Sequence, residues 1–207
     1  MANTSRINGF RPVRYLSGAP WNGKARMYVH AAGDNTTLHV GDIVIQGASS
    51  TKGFQAVTRA TDGTAGGIVG VVVGIDLVNP NVTSLQGTSL DLGEKYVAAS
   101  TERFVWVADD PGLIFEAEFE LGGTEPTQSD VGLNYDFSTT AGNTTTGASG
   151  MTIDTTVAGA TTAATPLKLV GLVRRPDNDI VDSTSYQKGL VTINMHVFND
   201  GAGHAGV

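Results

Sequence analysis

Two glycines and a lysine within residues 18–25 have the spacing of a phosphate-binding loop. The segment reads GAPWNGKA, so Ala25 stands where such a loop needs a Ser or Thr to ligate magnesium. The loop also needs a following helix whose N-terminal amides point at the phosphate. Residues 26–30, RMYVH, are instead typical of extended chain. We therefore interpret the segment as a glycine-flanked turn that presents Trp21, and we predict no nucleotide or other cofactor.

The histidines form no pattern typical of a metal site or a catalytic site. No two of them have the H-x-x-x-H spacing of a zinc site; they are His30, His39, His196 and His204. A catalytic histidine needs a positioned partner, and the sequence places none beside these four. By strand alternation His196 is expected to face solvent. We predict no catalytic residue and no metal site.

Carboxylates recur at two turns and along one strand. Residues 109–110 and 177–179 lie beside prolines, where Asp and Asn are ordinary turn formers, and neither group has a calcium-loop spacing. Glu116, Glu118 and Glu120 share one face of a strand. Paired carboxylates can hydrolyse glycosides, but this row is also typical of a solvated or partner-facing strand. We favour that second interpretation and expect a protein that is not an enzyme.

The composition bounds the partners of this 207-residue chain. Its net charge is −7, and its 13 Lys and Arg residues never cluster beyond the pair Arg174 and Arg175. Binding to nucleic-acid phosphates needs clustered basic side chains, so we expect no nucleic-acid partner. There is no cysteine, which excludes disulfides and thiol chemistry. The apolar stretch at residues 68–78 is too short for a bilayer span, so we expect no membrane association and synthesis in a cytosol.

Threonine, valine and 27 glycines favour many short strands. Residues 61–64 and 109–112 carry D-G and D-P-G turn signals. The last strand should turn Val191 and Ile193 inward and Thr192 outward. The fold class predicted is all-β, a small β-barrel or a sandwich. Its predicted strands are residues 38–45, 54–60, 68–75, 96–99, 103–108, 113–120, 167–173 and 190–198.

Four segments differ in character. They are an extended N-terminal arm (1–35), a barrel or sandwich core (36–121), a Thr/Gly-rich insertion (122–165) and C-terminal strands that complete the β domain (166–207). Because residues 138–165 have few large apolar side chains, we expect a long surface excursion there, or an extra hairpin around residues 151–153.

The arm combines frequent Gly and Pro with large aromatic rings. We expect these rings to be buried partly by a neighbouring subunit, with the core of the same chain as the alternative. Trp and Tyr are common at interface hot spots. The predicted partner-binding anchors are Phe10, Tyr15, Trp21 and Tyr28.

Several short motifs resemble those of structural proteins of tailed bacteriophages. They are NGFRPVR at residues 8–14 with YLSG at 15–18, GDIV at 41–44, GVVVG at 70–74, LVGLVRRPDN at 169–178 and LVTIN at 190–194. The resemblance covers both ends of the chain and leaves residues 122–165 without a counterpart. It is to capsid decoration (cement) proteins.

The resemblance implies a virion protein on the outer capsid surface. Such proteins sit at local three-fold or similar positions, often as homotrimers, and clamp neighbouring major capsid subunits against the pressure of internal DNA. The implied partners are therefore the major capsid protein and other copies of this chain. Two alternatives stay open, namely another virion component such as a head fibre, tail or minor shell protein, and a carbohydrate-binding β module.

Overall fold

The computed structural model describes residues 3–48, 50–64, 66–77, 93–156, 159–180, 186–199 and 203–206. This described part of the chain contains twelve strands, a single 3-10 turn at Gln128–Asp130 and no α-helix. The strands are β1 (Arg11–Tyr15), β2 (Arg26–His30), β3 (Ile43–Gln46), β4 (Val57–Arg59), β5 (Ile68–Ile75), β6 (Arg103–Ala108), β7 (Leu113–Glu118), β8 (Asn134–Tyr135), β9 (Phe137–Ser138), β10 (Thr152–Ile153), β11 (Leu167–Leu172) and β12 (Lys188–Ile193).

The first sheet is antiparallel with the strand order β1-β7-β12-β11-β8. Strand β7 shows how the sequence builds it, because the side chains alternate between the two faces. Leu113, Phe115 and Ala117 turn into the core, while Glu116 and Glu118 lie on the opposite face. The outer face of this sheet is therefore charged, and it is the face on which the N-terminal residues lie.

The second sheet has the order β2-β6-β5-β3-β4, and β9 pairs with β10 in a separate two-stranded sheet. Strand β5 is rich in β-branched residues, and its first five residues are buried. An isolated bridge between Val29 and Ala56 brings the two edge strands of the second sheet together. None of the three sheets formed by the described residues closes into a barrel.

The core lies between the sheets. The larger buried cluster joins Leu113 and Phe115 of the first sheet to Ile68 and Val71 of the second. A second cluster, which includes Tyr28 of β2 and Val105 of β6, packs against the second sheet. The structure confirms the predicted all-β class, and of the two architectures considered it is sandwich-like.

Strands β5 and β6 have the bounds that the sequence predicted. The alternation predicted for residues 190–198 holds through Val191 and Ile193, which are buried, but the strand ends at Ile193. Beyond that point the period of two no longer applies. The prediction that His196 faces solvent is wrong, because His196 is fully buried and bridges to Ile68.

The N-terminal segment is also part of the sheets. Strand β1 pairs with β7 at the edge of the first sheet, and β2 pairs with β6 at the edge of the second. The prediction that residues 1–35 contain no packed element is therefore wrong for these two strands. Two five-residue strands form there in spite of the glycines and prolines that suggested an arm, and Pro12 itself lies within β1.

The Thr/Gly-rich segment contributes to the core as well. Tyr135, Phe137, Met151 and Ile153 are all buried in the larger cluster. The expectation of a surface excursion over residues 138–165 is wrong for Met151 and Ile153. The alternative of an extra hairpin around residues 151–153 agrees with β10, which pairs antiparallel with β9.

Candidate adhesion surface

An apolar cleft of about 540 Å³ lies beside the N-terminal edge of the first sheet. Its walls come from four parts of the chain: the N-terminal segment, residues 40–41, strand β5 and the loop around Gly147. Phe10, Trp21, Val40 and Val73 supply apolar surface, and Asn8, Arg11 and Thr146 are among its polar lining residues.

Trp21 is the large aromatic side chain that this cleft leaves half-buried. Its indole Nε1 donates a hydrogen bond to the carbonyl of Lys24 at 3.2 Å, and its backbone N–H donates to the carbonyl of Val13 at 3.0 Å. The second bond ties the turn to β1. The ring is thus positioned before any partner arrives, which lowers the entropy cost of binding through it.

The backbone around Phe10 explains why this ring points inward. Gly9 has a φ of +65°, and a Cβ at that position would lie 2.4 Å from the carbonyl oxygen of Gly41. The N–H of Phe10 donates to the same carbonyl at 2.9 Å. The chain is thereby drawn against residue 41, and Phe10 enters the core with 1% of its surface exposed. The prediction that Phe10 is an anchor for a partner is therefore wrong.

The prediction that Tyr28 is an anchor for a partner is wrong as well. Tyr28 is 4% exposed, and its hydroxyl donates to Asp109 Oδ2 at 2.6 Å inside the protein. Arg26 Nε lies 2.6 Å from the same oxygen. Burial, together with the bond to the carboxylate, raises the pKa of Tyr28 well above its usual value. This ring and its hydroxyl are occupied by their own chain.

Tyr15 and Trp21 remain as anchors that a partner can reach. Both are half-buried and pack against the larger core cluster, and the Tyr15 hydroxyl donates to Asn22 Oδ1 at 3.4 Å. Sequence reasoning missed three smaller neighbours on this edge. Val13, Leu16 and Val40 are 40%, 57% and 38% exposed. Val13 and Leu16 carried only the signal of an apolar residue in a segment punctuated by glycine and proline, and Val40 lay in the predicted strand 38–45.

The predicted row of glutamates is not solvated throughout, since Glu118 is buried. Glu116 accepts two hydrogen bonds from Arg175, at 2.7 and 3.0 Å. Glu118 is buried and accepts from Ser5 Oγ at 2.9 Å and from the Arg6 N–H at 2.7 Å. The spacing placed these carboxylates on one face correctly, but their partners are remote in sequence.

The buried histidines lie in separate places. His30 Nε2 is 3.4 Å from Asp34, and His39 Nδ1 is 3.7 Å from Asp42. Burial lowers the pKa of His196 although Asp109 and Asp110 act in the opposite direction. Within the described ranges no three His, Asp or Glu side chains are grouped to hold a metal ion.

No helix among the residues placed by the structure is long and apolar enough to cross a membrane. Comparisons with protein-family models, with curated proteins and with solved structures found no match for the chain.

Proposed function

We propose that this chain is a capsid decoration (cement) protein of a tailed bacteriophage, bound to the outer surface of the shell. In this proposal it acts by adhesion, is not an enzyme, and stabilises contacts between neighbouring major capsid subunits. The observation that carries the adhesive role is the positioned, half-buried Trp21 in an apolar cleft of about 540 Å³. The phage assignment itself comes from the sequence resemblance.

The cleft is suited to a protein partner in its shape and its chemistry. An aromatic ring held in place, with apolar neighbours and a few polar groups at the rim, is the usual make-up of an interface hot spot. Burying such a ring contributes roughly 1.5–3 kcal/mol. If the chain assembles as a homotrimer, three such contacts on one particle add through their high effective concentration.

The direct experiment compares substitutions of the two tryptophans. Trp21→Ala should weaken binding of the purified protein to phage heads that lack it, measured by cosedimentation. Trp106→Ala is the matched control, because Trp106 is 37% exposed on the second sheet and lies outside the cleft. Equal binding by Trp21→Ala and the wild type would show that the cleft is not the contact.

Deleting residues 1–30 is unsuitable as a test, since it removes β1 and β2 from their sheets.

Copy number separates decoration from the other virion roles. A decoration protein should be present at hundreds of copies in purified particles, counted by quantitative mass spectrometry. A tail or minor shell component would be present at far fewer.

A carbohydrate-binding module is the second candidate, because Trp21 stands beside hydrogen-bonding side chains in the same cleft. Asn8, Arg11 and Thr146 line it with the indole, and aromatic stacking with a few convergent polar groups is common in ligand sites. A glycan array with the wild type and Trp21→Ala tests this. Binding that depends on Trp21 would favour a saccharide, and an array without hits would remove this candidate.

A further inference from the structure

A second, charged pocket of about 270 Å³ lies on the outer face of the first sheet. Its basic side chains come from four places in the chain: Arg6, Arg11, Arg175 and Lys188. Three carboxylates also line it. The pocket therefore gathers more cationic than anionic side chains, on a chain whose net charge is −7.

The three carboxylates already have partners. Glu116 receives the two-pronged hydrogen bond from Arg175, and Asp177 Oδ1 accepts from Arg175 Nε at 3.2 Å. Glu118 accepts from the hydroxyl of Ser5 and the backbone of residue 6. Arg175 is therefore the basic side chain to which Glu116 and Asp177 are hydrogen-bonded.

Lys188 is different, because its side chain lies in the pocket wall and its ammonium makes no side-chain hydrogen bond among the residues that the structure describes. It belongs to β12, directly opposite Glu118 in the strand register, and the residue as a whole is only 9% exposed. Its charge acts on Asp177, whose pKa it helps to lower, but no carboxylate forms an ion pair with it within the described ranges. Its amide and carbonyl are bonded to Asn178, so the strand position is fixed.

An ammonium group carries three donors and no acceptor. An ammonium at the wall of a pocket, held by a fixed strand and without a hydrogen bond to the described residues, is thus complementary to an anion with several oxygens. Arg6 and Arg11 are exposed at the same pocket, and no hydrogen bond or ion pair of their side chains occurs within the described ranges. They can close around such an anion from the open side.

We propose that this pocket is an oxyanion-binding site in which Lys188, with Arg6 and Arg11, binds a carboxylate or phosphate group. Asn8 and Arg11 line both this pocket and the Trp21 cleft, so the two sites adjoin. A partner segment with an acidic side chain next to an apolar one would fill both. The identification of that source as the capsid rests on the proposed function, whereas the oxyanion site does not.

The experiment titrates the isotope-labelled full chain with sodium phosphate and, separately, with sodium acetate, and follows backbone amide resonances around Gly189. We expect saturable shifts with both anions in the wild type. Lys188→Met should weaken binding at least about tenfold, the loss expected for a charge-assisted hydrogen bond. Lys24→Met, at an exposed lysine outside the pocket, should bind as the wild type does.

Lys188→Arg serves as the folding control, since it keeps the cation and should retain binding. Absence of saturable shifts in the wild type, or unchanged affinity in Lys188→Met, would overturn the proposal. If the Lys188→Met protein fails to fold, the double variant Arg6→Gln with Arg11→Gln is tested instead. Weaker phosphate binding is again expected for this variant. Unchanged binding would contradict the site.

Binding to phage heads separates the two proposals and the two sources of the anion. Loss of head binding in Lys188→Met indicates a carboxylate of the shell. Retained head binding with lost phosphate binding indicates a free anion. Trp21→Ala should bind phosphate normally. Failure of phosphate binding while Trp21→Ala still abolishes head binding would sink the oxyanion site and leave the decoration role intact.

Discussion

The N-terminal segment and the Thr/Gly-rich segment are held in the molecule by different means. Residues 3–30 supply two edge strands and large rings, of which Phe10 and Tyr28 are buried. Much of residues 139–150 packs through its backbone. A Cβ on Gly142 would lie 2.4 Å from the His39 ring, and one on Gly150 would lie 2.4 Å from the carbonyl of Ala141.

The difference shows that a shortage of large apolar side chains does not place a segment outside a fold. Small residues let backbone and neighbouring atoms approach closely, so that packing density is reached without bulk. The backbone polar groups of this segment find partners too, as in the hydrogen bond from Ser149 N–H to the carbonyl of Val40 at 2.9 Å. Such a segment should tolerate the loss of a side chain better than the gain of one.

The largest effect is expected for Phe10→Ala, which should lower the free energy of unfolding by about 3–5 kcal/mol because it leaves a cavity in the core. Leu16→Ala, in the same segment but exposed, should change it by about 0.5 kcal/mol or less. Urea unfolding of both variants measures the difference. Equal stability of the two would restore the picture of an arm that needs a partner.

The reverse change tests the Thr/Gly-rich segment. Gly142→Ala should lower the free energy of unfolding by about 1–3 kcal/mol, since the added methyl group overpacks the contact with His39. Gly33→Ala is the control, because a Cβ there meets nothing within 4 Å, and it should stay within about 0.5 kcal/mol of the wild type. If the Gly142 variant unfolds at the same denaturant concentration as the Gly33 variant, the close packing of this loop is not important for stability.

A tyrosine from each segment gives the next comparison. Tyr28→Phe should lower the free energy of unfolding by roughly 2 kcal/mol at pH 7, because the carboxylate of Asp109, a charged acceptor, loses the hydrogen bond that the tyrosine hydroxyl donates. Burial raises the pKa of Tyr135 to about 12, and that of Tyr28 higher still. Both folded-state values exceed the ordinary value of 10.0, so wild-type stability should fall as the pH rises above 10, where the unfolded chain ionises first.

Thermal unfolding at pH 7 and in the alkaline range measures both effects, with Tyr135→Phe as the partner variant. A Tyr28→Phe protein as stable as the wild type at pH 7 would contradict the role given to its hydroxyl.

The smallest effect concerns Asp136 in the Thr/Gly-rich segment. Burial raises the pKa of Asp136, although the N–H groups of Phe137 and Gly63 donate to it. Because the pKa of Asp136 is higher in the folded chain than its ordinary value of 3.8, the stability that Asp136 contributes is fully present below pH 3.8. That contribution is lost as the pH rises through the folded-state pKa. Asp136→Asn should therefore gain stability relative to the wild type between pH 4 and pH 7. A constant difference across that range would contradict the shift.

Sequence patterns identified the parts of the fold that depend on local alternation. The β-branched run of β5, the strand β6 and the turn at residues 109–112 were all predictable, because each one is encoded within ten residues. The two-residue strands β8, β9 and β10 are too short for any periodicity to show.

The candidate sites were only partly predictable, for a related reason. Trp21 could be singled out as an aromatic residue in a glycine-flanked turn. The environment of Lys188 could not, because its pocket is built from residues 6, 11, 116 and 175, which only the sheet pairing brings together. Local patterns specify faces of strands, and long-range pairing decides what meets there.

Strand β7 lies between β1 and β12, which come from near the beginning and near the end of the described chain. Such pairing gives the protein a high contact order, because loop-closure entropy must be overcome before these contacts can form. The first sheet cannot be completed until residues 188–193 have been synthesised. Refolding on the scale of milliseconds to seconds, rather than microseconds, is therefore expected. A nascent chain would hold β1 unpaired until β7, at residues 113–118, has been synthesised.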